Sequence, residues 1–157
     1  MSDRISMKAA VYTRYGPPDV VRIEDVEKPV PKDNEVLIKV RAASVNPLDW
    51  HGVRGKPYVM RILGGLRKPT HARLGVDVAG QVEAVGGNVT RFKPGDEVFG
   101  GCLGLWTFAE YACVPEPALV IKPDNLTFEQ QLLCLLRHSP HCRVFATRHT
   151  FSPVRRS

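Results

Sequence analysis

The chain has 157 residues, 43% hydrophobic and 24% charged, which fits one globular domain with a core of its own and excludes a disordered or fibrous chain. No apolar run approaches the ~20 residues a membrane helix needs, and the start MSDRISMKAA has no apolar secretory stretch, so neither membrane nor export is expected. Lys and Arg number 22 against 16 Asp and Glu, and the resulting +6 invites a nucleic-acid partner.

The position of that charge argues against such a partner. All 16 acids lie between Asp3 and Glu129, beside 17 Lys and Arg in residues 1–130, a net +1. Residues 131–157 hold Arg137, Arg143, Arg148, Arg155 and Arg156, with no lysine and no acid. They also hold Cys134 and Cys142 and the histidines His138, His141 and His149. Composition changes after Gln130, so a boundary is placed there. No nucleic-acid motif accompanies the arginines.

In chain order, MKAAVYTRYG alternates and predicts a strand from Lys8 to Tyr15, stopped by Gly16, Pro17 and Pro18. Val20 to Pro29 predicts a second strand, and Glu35 to Val45 a third with β-branched residues and alternation. Asn46 then reads as an N-cap with Pro47 at the first helical position. Residues 54–73 form a loose stretch bearing Arg54, Lys56, Arg61, Arg67, Lys68 and Arg73 and no acid. A solvated loop is the plainer reading of it, and a phosphate-attracting rim the sharper one. Gly75 to Gly86 predicts a strand in which Gly80 marks a bend or a close backbone approach. A turn at Pro94-Gly95-Asp96 precedes a strand from Glu97 to Phe99. TFAEYACVP and ALVIKP add two short strands, and T-F-E-Q from Thr127 reads as a capping box opening a helix. Leu132, Leu133, Leu135 and Leu136 can extend that helix, and an irregular tail is expected beyond Ser139-Pro140. The sum is a mainly β fold: a partly open antiparallel barrel with short helices.

Four runs carry a family resemblance: AASVNPLDW from Ala42, LGVDVAGQVEAVG from Leu74, RFKPGDEVFG from Arg91 and FAEYACVP from Phe108. Together they resemble the GroES-like catalytic domain of the medium-chain dehydrogenase/reductase superfamily over roughly residues 6–131. In the zinc alcohol dehydrogenases of that superfamily a cysteine and a Gly-His-Glu supply metal ligands. Here those positions read Asn46 and Gly75-Val76-Asp77. Valine cannot bind zinc and an amide binds it poorly. Cys102 and Cys113 form no C-x-x-C knuckle. The resemblance therefore points to the zinc-independent, quinone oxidoreductase-like branch, with no metal site.

That branch implies hydride transfer from NAD(P)H to a quinone, enone or carbonyl acceptor, with charge stabilised by hydrogen-bond donors instead of a metal. It implies Asn46 and His51 as cofactor-side candidates, with N-capping as the alternative for Asn46 and a structural or solvated role for His51. Trp50 and Trp106 are candidates for the substrate wall, with core packing as the alternative for Trp50. Asp49 reads as a local cap or ion-pair partner. No catalytic residue is assigned.

The hydride chemistry also needs a nucleotide-binding Rossmann unit, and Gly100-Gly101-Cys102-Leu103-Gly104 lacks the strand–turn–helix setting of its fingerprint. Domain organisation is read as a GroES-like domain over 1–130 and a non-homologous tail over 131–157, with no Rossmann unit. Reverse translation of the tail from the third base of the Gln131 codon permits a family-like continuation, so a frameshift near Gln131 is expected. On this reading the chain binds no cofactor tightly and is inactive alone. Its partner is a small-molecule acceptor, with no nucleic acid and no membrane; a homo-oligomer is left open. Four cysteines without a secretory pattern suggest the cytosol. The competing functions are a stand-alone GroES-like binding module and a zinc alcohol dehydrogenase domain.

Overall fold

A computed structural model describes residues 5–56, 61–62, 69, 74–101, 106–135 and 143–146. The strands are β1 (Ser6–Tyr12), β2 (Val21–Glu27), β3 (Glu35–Val45), β4 (Asp77–Val85), β5 (Glu97–Gly101), β6 (Tyr111–Pro115), β7 (Leu119–Ile121) and β8 (Arg143–Ala146). The helices are α1 (Pro47–Arg54) and α2 (Phe128–Leu135). β1 and β2 form a two-stranded antiparallel sheet. The rest form a six-stranded sheet in the order β6-β3-β4-β5-β7, with β8 also on β3. Every pairing is antiparallel, and no closed barrel forms among the described residues, in line with the open barrel expected.

The two sheets are joined where β1 meets the segment before β6. Ala10 N–H donates to Phe108 O at 2.8 Å, and Glu110 N–H donates to Lys8 O at 3.0 Å. The main core gathers Val36, Ile38, Val78, Val82, Phe92, Val98, Ala112, Val114 and Leu119 from the larger sheet. A second cluster sets Val53 of α1 against Ala10, Tyr12, Val20 and Leu74, and this fixes α1 to the β1–β2 hairpin.

β3 departs from the simple alternation expected of it. Val36–Ile38 and Ala42–Ser44 are buried as runs, because α2 covers one face near Ala42 and the main core the other near Ile38. Register shifts after Leu37 and Val40 re-aim the strand between these runs. Gly80 lies opposite this bend. A Cβ on Gly80 would collide with the Lys39 carbonyl and approach Ile38 Cγ2 to 2.8 Å, so the close approach expected there is present.

Several boundaries differ. β1 ends at Tyr12 instead of Tyr15, because Gly16 N–H turns to Val53 O at 3.0 Å. A short 3-10 turn, Pro18–Val20, replaces the start of the second strand. β4 begins at Asp77, since Gly75 adopts φ +96°, which no strand residue holds. The tail expected to be irregular contains β8, whose partners Ala42–Val45 of β3 offer an edge that β6 leaves open.

The helix start at Thr127 is as expected. Thr127 N–H donates to Gln130 Oε1 at 3.0 Å, and Gln130 N–H donates to Thr127 Oγ1 at 3.3 Å. Lys122 pins the preceding turn, reaching Glu97 Oε2 and Leu126 O, both at 2.9 Å. α2 then drops Leu132, fully buried, onto Ala42 and Ala79. No helix among the described residues is long and apolar enough to cross a membrane.

Candidate functional site

The candidate residues converge where β3 ends, α1 begins and β4 begins. Register places Ser44 of β3 opposite Asp77 of β4, and Asp77 in turn opposite Gly101 of β5. A Cβ on Gly101 would strike Asp77 Oδ1, so the glycine leaves room for the carboxylate beside the ladder. Asp77 Oδ2 accepts from Ser44 Oγ at 2.6 Å and from Asn46 Nδ2 at 2.9 Å. Because a carboxylate only accepts, this contact fixes which end of the Asn46 amide is nitrogen.

Asn46 also holds the N-cap position predicted for it, with φ −105° and ψ 156°. Asp49, three residues on, turns back: its Oδ2 accepts from Asn46 N–H at 2.9 Å and its Oδ1 from Gly75 N–H at 3.0 Å. The local capping expected of Asp49 is present, extended by a bond across 26 residues. Burial pushes the Asp49 carboxyl above its ordinary range; the two backbone donors oppose this and neighbouring Asp77 adds to it. Gly75 must be glycine: its φ is positive, and a Cβ would collide with Thr107 Oγ1. That Thr107 hydroxyl is buried and has no hydrogen-bond partner among the described residues. Ser44, Asp77, Asn46, Asp49, Gly75 and Thr107 thus form one continuous polar seam. Nearby, burial first, and then Tyr15 and Asp49, raise the Tyr12 phenol, which stays protonated.

The other candidates sit apart from this seam. His51 Nδ1 lies 2.8 Å from Lys56 O. A carbonyl only accepts, so Nδ1 carries the proton, and in the neutral ring Nε2 is an acceptor. His51 can donate a proton from Nε2 only as the doubly protonated ring. Trp50 is not core: α1 buries Asp49 and Val53, and Trp50 lies a step round the helix, 45% exposed. Arg54 stacks on it at 4.5 Å and His51 meets it edge-on at 4.9 Å. Trp106 packs against the Met7, Ala9 and Ala109 cluster and donates from Nε1 to Ala10 O at 3.3 Å. The structure therefore does not bring the two tryptophans into one cluster. Arg67, Lys68, Arg73, Cys102, Cys142, His138, His141 and His149 lie outside the described residues.

Ser44, Asp77 as an acceptor, and Thr107 were not singled out from the sequence as site residues. Their common signal is strand register, which no local pattern carries. Among the described residues, no group of three or more His, Cys, Asp or Glu is arranged to hold a metal. Val76 offers no ligand atom, and the Asn46 amide is engaged with Asp77.

Comparison with known proteins gives a match to the alcohol dehydrogenase GroES-like domain over residues 32–124. Quinone oxidoreductase of Sus scrofa is 40% identical over 125 residues, covering 79% of this chain and 36% of that protein. The NADPH-dependent alkenal/one oxidoreductase of Arabidopsis thaliana, a chloroplastic protein, is 38% identical over 133 residues, covering 79% and 33%. The solved quinone oxidoreductase of Coxiella burnetii superposes with a TM-score of 0.68 at 31% identity, covering 79% of this chain and 39% of that one. The chain thus spans about a third of the length of the curated relatives it matches. With its sheet order, its α1 junction and these matches, the chain belongs to the alcohol dehydrogenase GroES-like domain family, within the medium-chain dehydrogenase/reductase superfamily.

Proposed function

We propose that this chain forms the acceptor side of the cleft of a zinc-independent, NAD(P)H-dependent oxidoreductase acting on quinones, enones or related carbonyls. The observation that carries the reading is the Asn46 amide, held by Asp77 at the mouth of α1 where the zinc enzymes place a metal-binding cysteine. The relatives' names, quinone oxidoreductase and NADPH-dependent alkenal/one oxidoreductase, support the same chemistry. NAD(P)H, when bound, supplies the hydride.

The seam suits such a ligand. The Asn46 amide, held by Asp77 at the start of α1, lies where a carboxamide or carbonyl oxygen would be met. The Thr107 hydroxyl, without a hydrogen-bond partner among the described residues, adds a second polar group close to Gly75. Ser44 keeps Asp77 in place, so the amide is held before any ligand arrives, and little ordering is left to be done on binding. His51 Nδ1 is engaged with Lys56 O, and the acceptor's proton is assigned to solvent. Trp50, with its exposed ring, forms an apolar shelf beside His51 for a planar acceptor.

The described residues form no nucleotide-binding unit, and the 157-residue chain alone is proposed to be inactive. The cytosol is the proposed location. The test is a fusion of residues 1–130 to the nucleotide-binding domain of the Sus scrofa relative, assayed for NADPH oxidation with benzoquinone. Turnover by the fusion, none by the chain alone, and a roughly tenfold to hundredfold loss of kcat/KM in N46A are expected. A fusion that binds NADPH yet reduces no quinone or enone would exclude the reading.

A further inference from the structure

We propose that the groove between the Tyr15–Pro17 turn and the C-terminal end of α1 is a binding site for a phosphoryl anion. The groove encloses about 330 Å³ and is lined by Tyr15, Gly16, Pro17, Arg54, Lys56 and Arg61. Three of these residues are cationic and none is acidic; Asp19, just past the turn, does not line it. Of the basic stretch that the sequence left as a solvated loop, Arg54, Lys56 and Arg61 are therefore gathered on one concave surface.

The charge of Arg54 and Lys56 is not consumed locally. Neither Arg54 nor Lys56 is paired with a carboxylate among the described residues, whereas Lys8, Lys28 and Lys122 are. The C-terminal end of α1 supplies a partial negative charge of only about half a unit. Arg54 and Lys56 alone exceed that by about one and a half charges. A phosphomonoester, about −1.5 to −2 at neutral pH, balances that surplus, whereas a monocarboxylate leaves part of it. The volume is that of a small-ligand site.

The walls are also held in place. Arg61 Nε donates to Gly55 O at 3.0 Å, and its guanidinium stacks on Tyr15 at 4.8 Å. The Arg54 guanidinium rests 4.5 Å from the Trp50 ring centre. Two planar guanidinium forks and one ammonium are a donor set that phosphoryl oxygens favour. Gly55 allows the walls to close: its φ is +59°, and a Cβ there would come within 2.7 Å of both Arg61 Nε and Tyr15 Cδ1.

This site is separate from the Asn46 seam and does not rest on the hydride reading. The test is an amide NMR titration of the full 157-residue chain with inorganic pyrophosphate, and in parallel with sodium acetate at matched ionic strength. Saturable shifts of the Gly16, Gly55 and Lys56 amides are expected with pyrophosphate by ~10 mM, with little response to acetate. Raising NaCl from ~50 to ~200 mM should weaken binding several-fold. The R54Q/K56Q double variant should bind at least tenfold more weakly. K56Q alone changes one exposed side chain outside the helix, and should weaken binding measurably even if the double variant fails to fold. Non-saturating shifts, an equal response to acetate, or wild-type affinity in K56Q and in a folded R54Q/K56Q would each overturn the proposal.

Discussion

Asp49→Ala removes a carboxylate that takes two backbone donors at once, Asn46 N–H and Gly75 N–H. Gly75 is buried, so its orphaned N–H costs about 1–3 kcal/mol; Asn46 is half-buried, and water recovers part of its loss. Deleting a carboxyl that burial penalises returns some of this energy. The net expectation is a loss of about 2 kcal/mol, seen in urea unfolding as a midpoint lowered by about 1 M with an unchanged slope. Asp49→Asn keeps one acceptor and turns an N–H against the other donor, so it should lose about half as much. The pH dependence has a definite sign. The folded pKa is raised above the ordinary 3.8, so the folded state keeps a proton that the unfolded chain has released. The Asp49 contribution is therefore fully present below about pH 3.8 and declines as pH rises through the raised value. The stability gap between wild type and D49N should be widest in acid and narrow towards neutrality. A D49A variant within about 0.5 kcal/mol of wild type, or a gap that widens with pH, would refute this account of the junction.

Leu132→Ala should destabilise the chain by about 3 kcal/mol in the same assay, because Leu132 is fully buried against Ala42 and Ala79 and leaves a cavity there; Leu132→Met should cost less than about 1.5 kcal/mol. Glu116 Oε1 accepts from Arg91 N–H at 2.7 Å and Thr90 N–H at 2.9 Å, and these bonds, Arg91 first, lower its pKa below 4.5. Its contribution is thus present above pH 4.5 and is lost as pH falls through the lowered value, so the melting temperatures of wild type and E116A should converge in acid.

What was legible in the sequence was local chemistry. Pro47 after Asn46, Gly95 in its turn with φ +97°, and Thr127 with Gln130 each announce an element through residues a few positions apart, and each element is present. Asp49 as a cap belongs to the same class. The acceptor role of Asp77 does not, because Ser44 and Asn46 reach it only after β3 and β4 have set their register across more than 30 residues. Trp50 shows another limit. A tryptophan in a short helix reads as core by composition, but which side of an eight-residue helix faces inward is decided by where Val53 and Asp49 land. The arginine-rich stretch was visible as charge, while its gathering into a groove depends on Gly55 turning the chain back toward Tyr15.

The outer edge of β3 has two tenants: β6 pairs with Glu35–Lys39 and β8 with Ala42–Val45. A strand edge selects partners mostly through backbone groups, so its second half is an address open to any extended segment that fits the face. A different continuation of the chain can compete for that address, and so can the same segment of a neighbouring molecule. Exchange of β8 between two copies would preserve every one of these backbone pairings while linking the molecules. The edge that receives the end of the chain is therefore also the place where folding within one molecule and association between two draw on the same bonds.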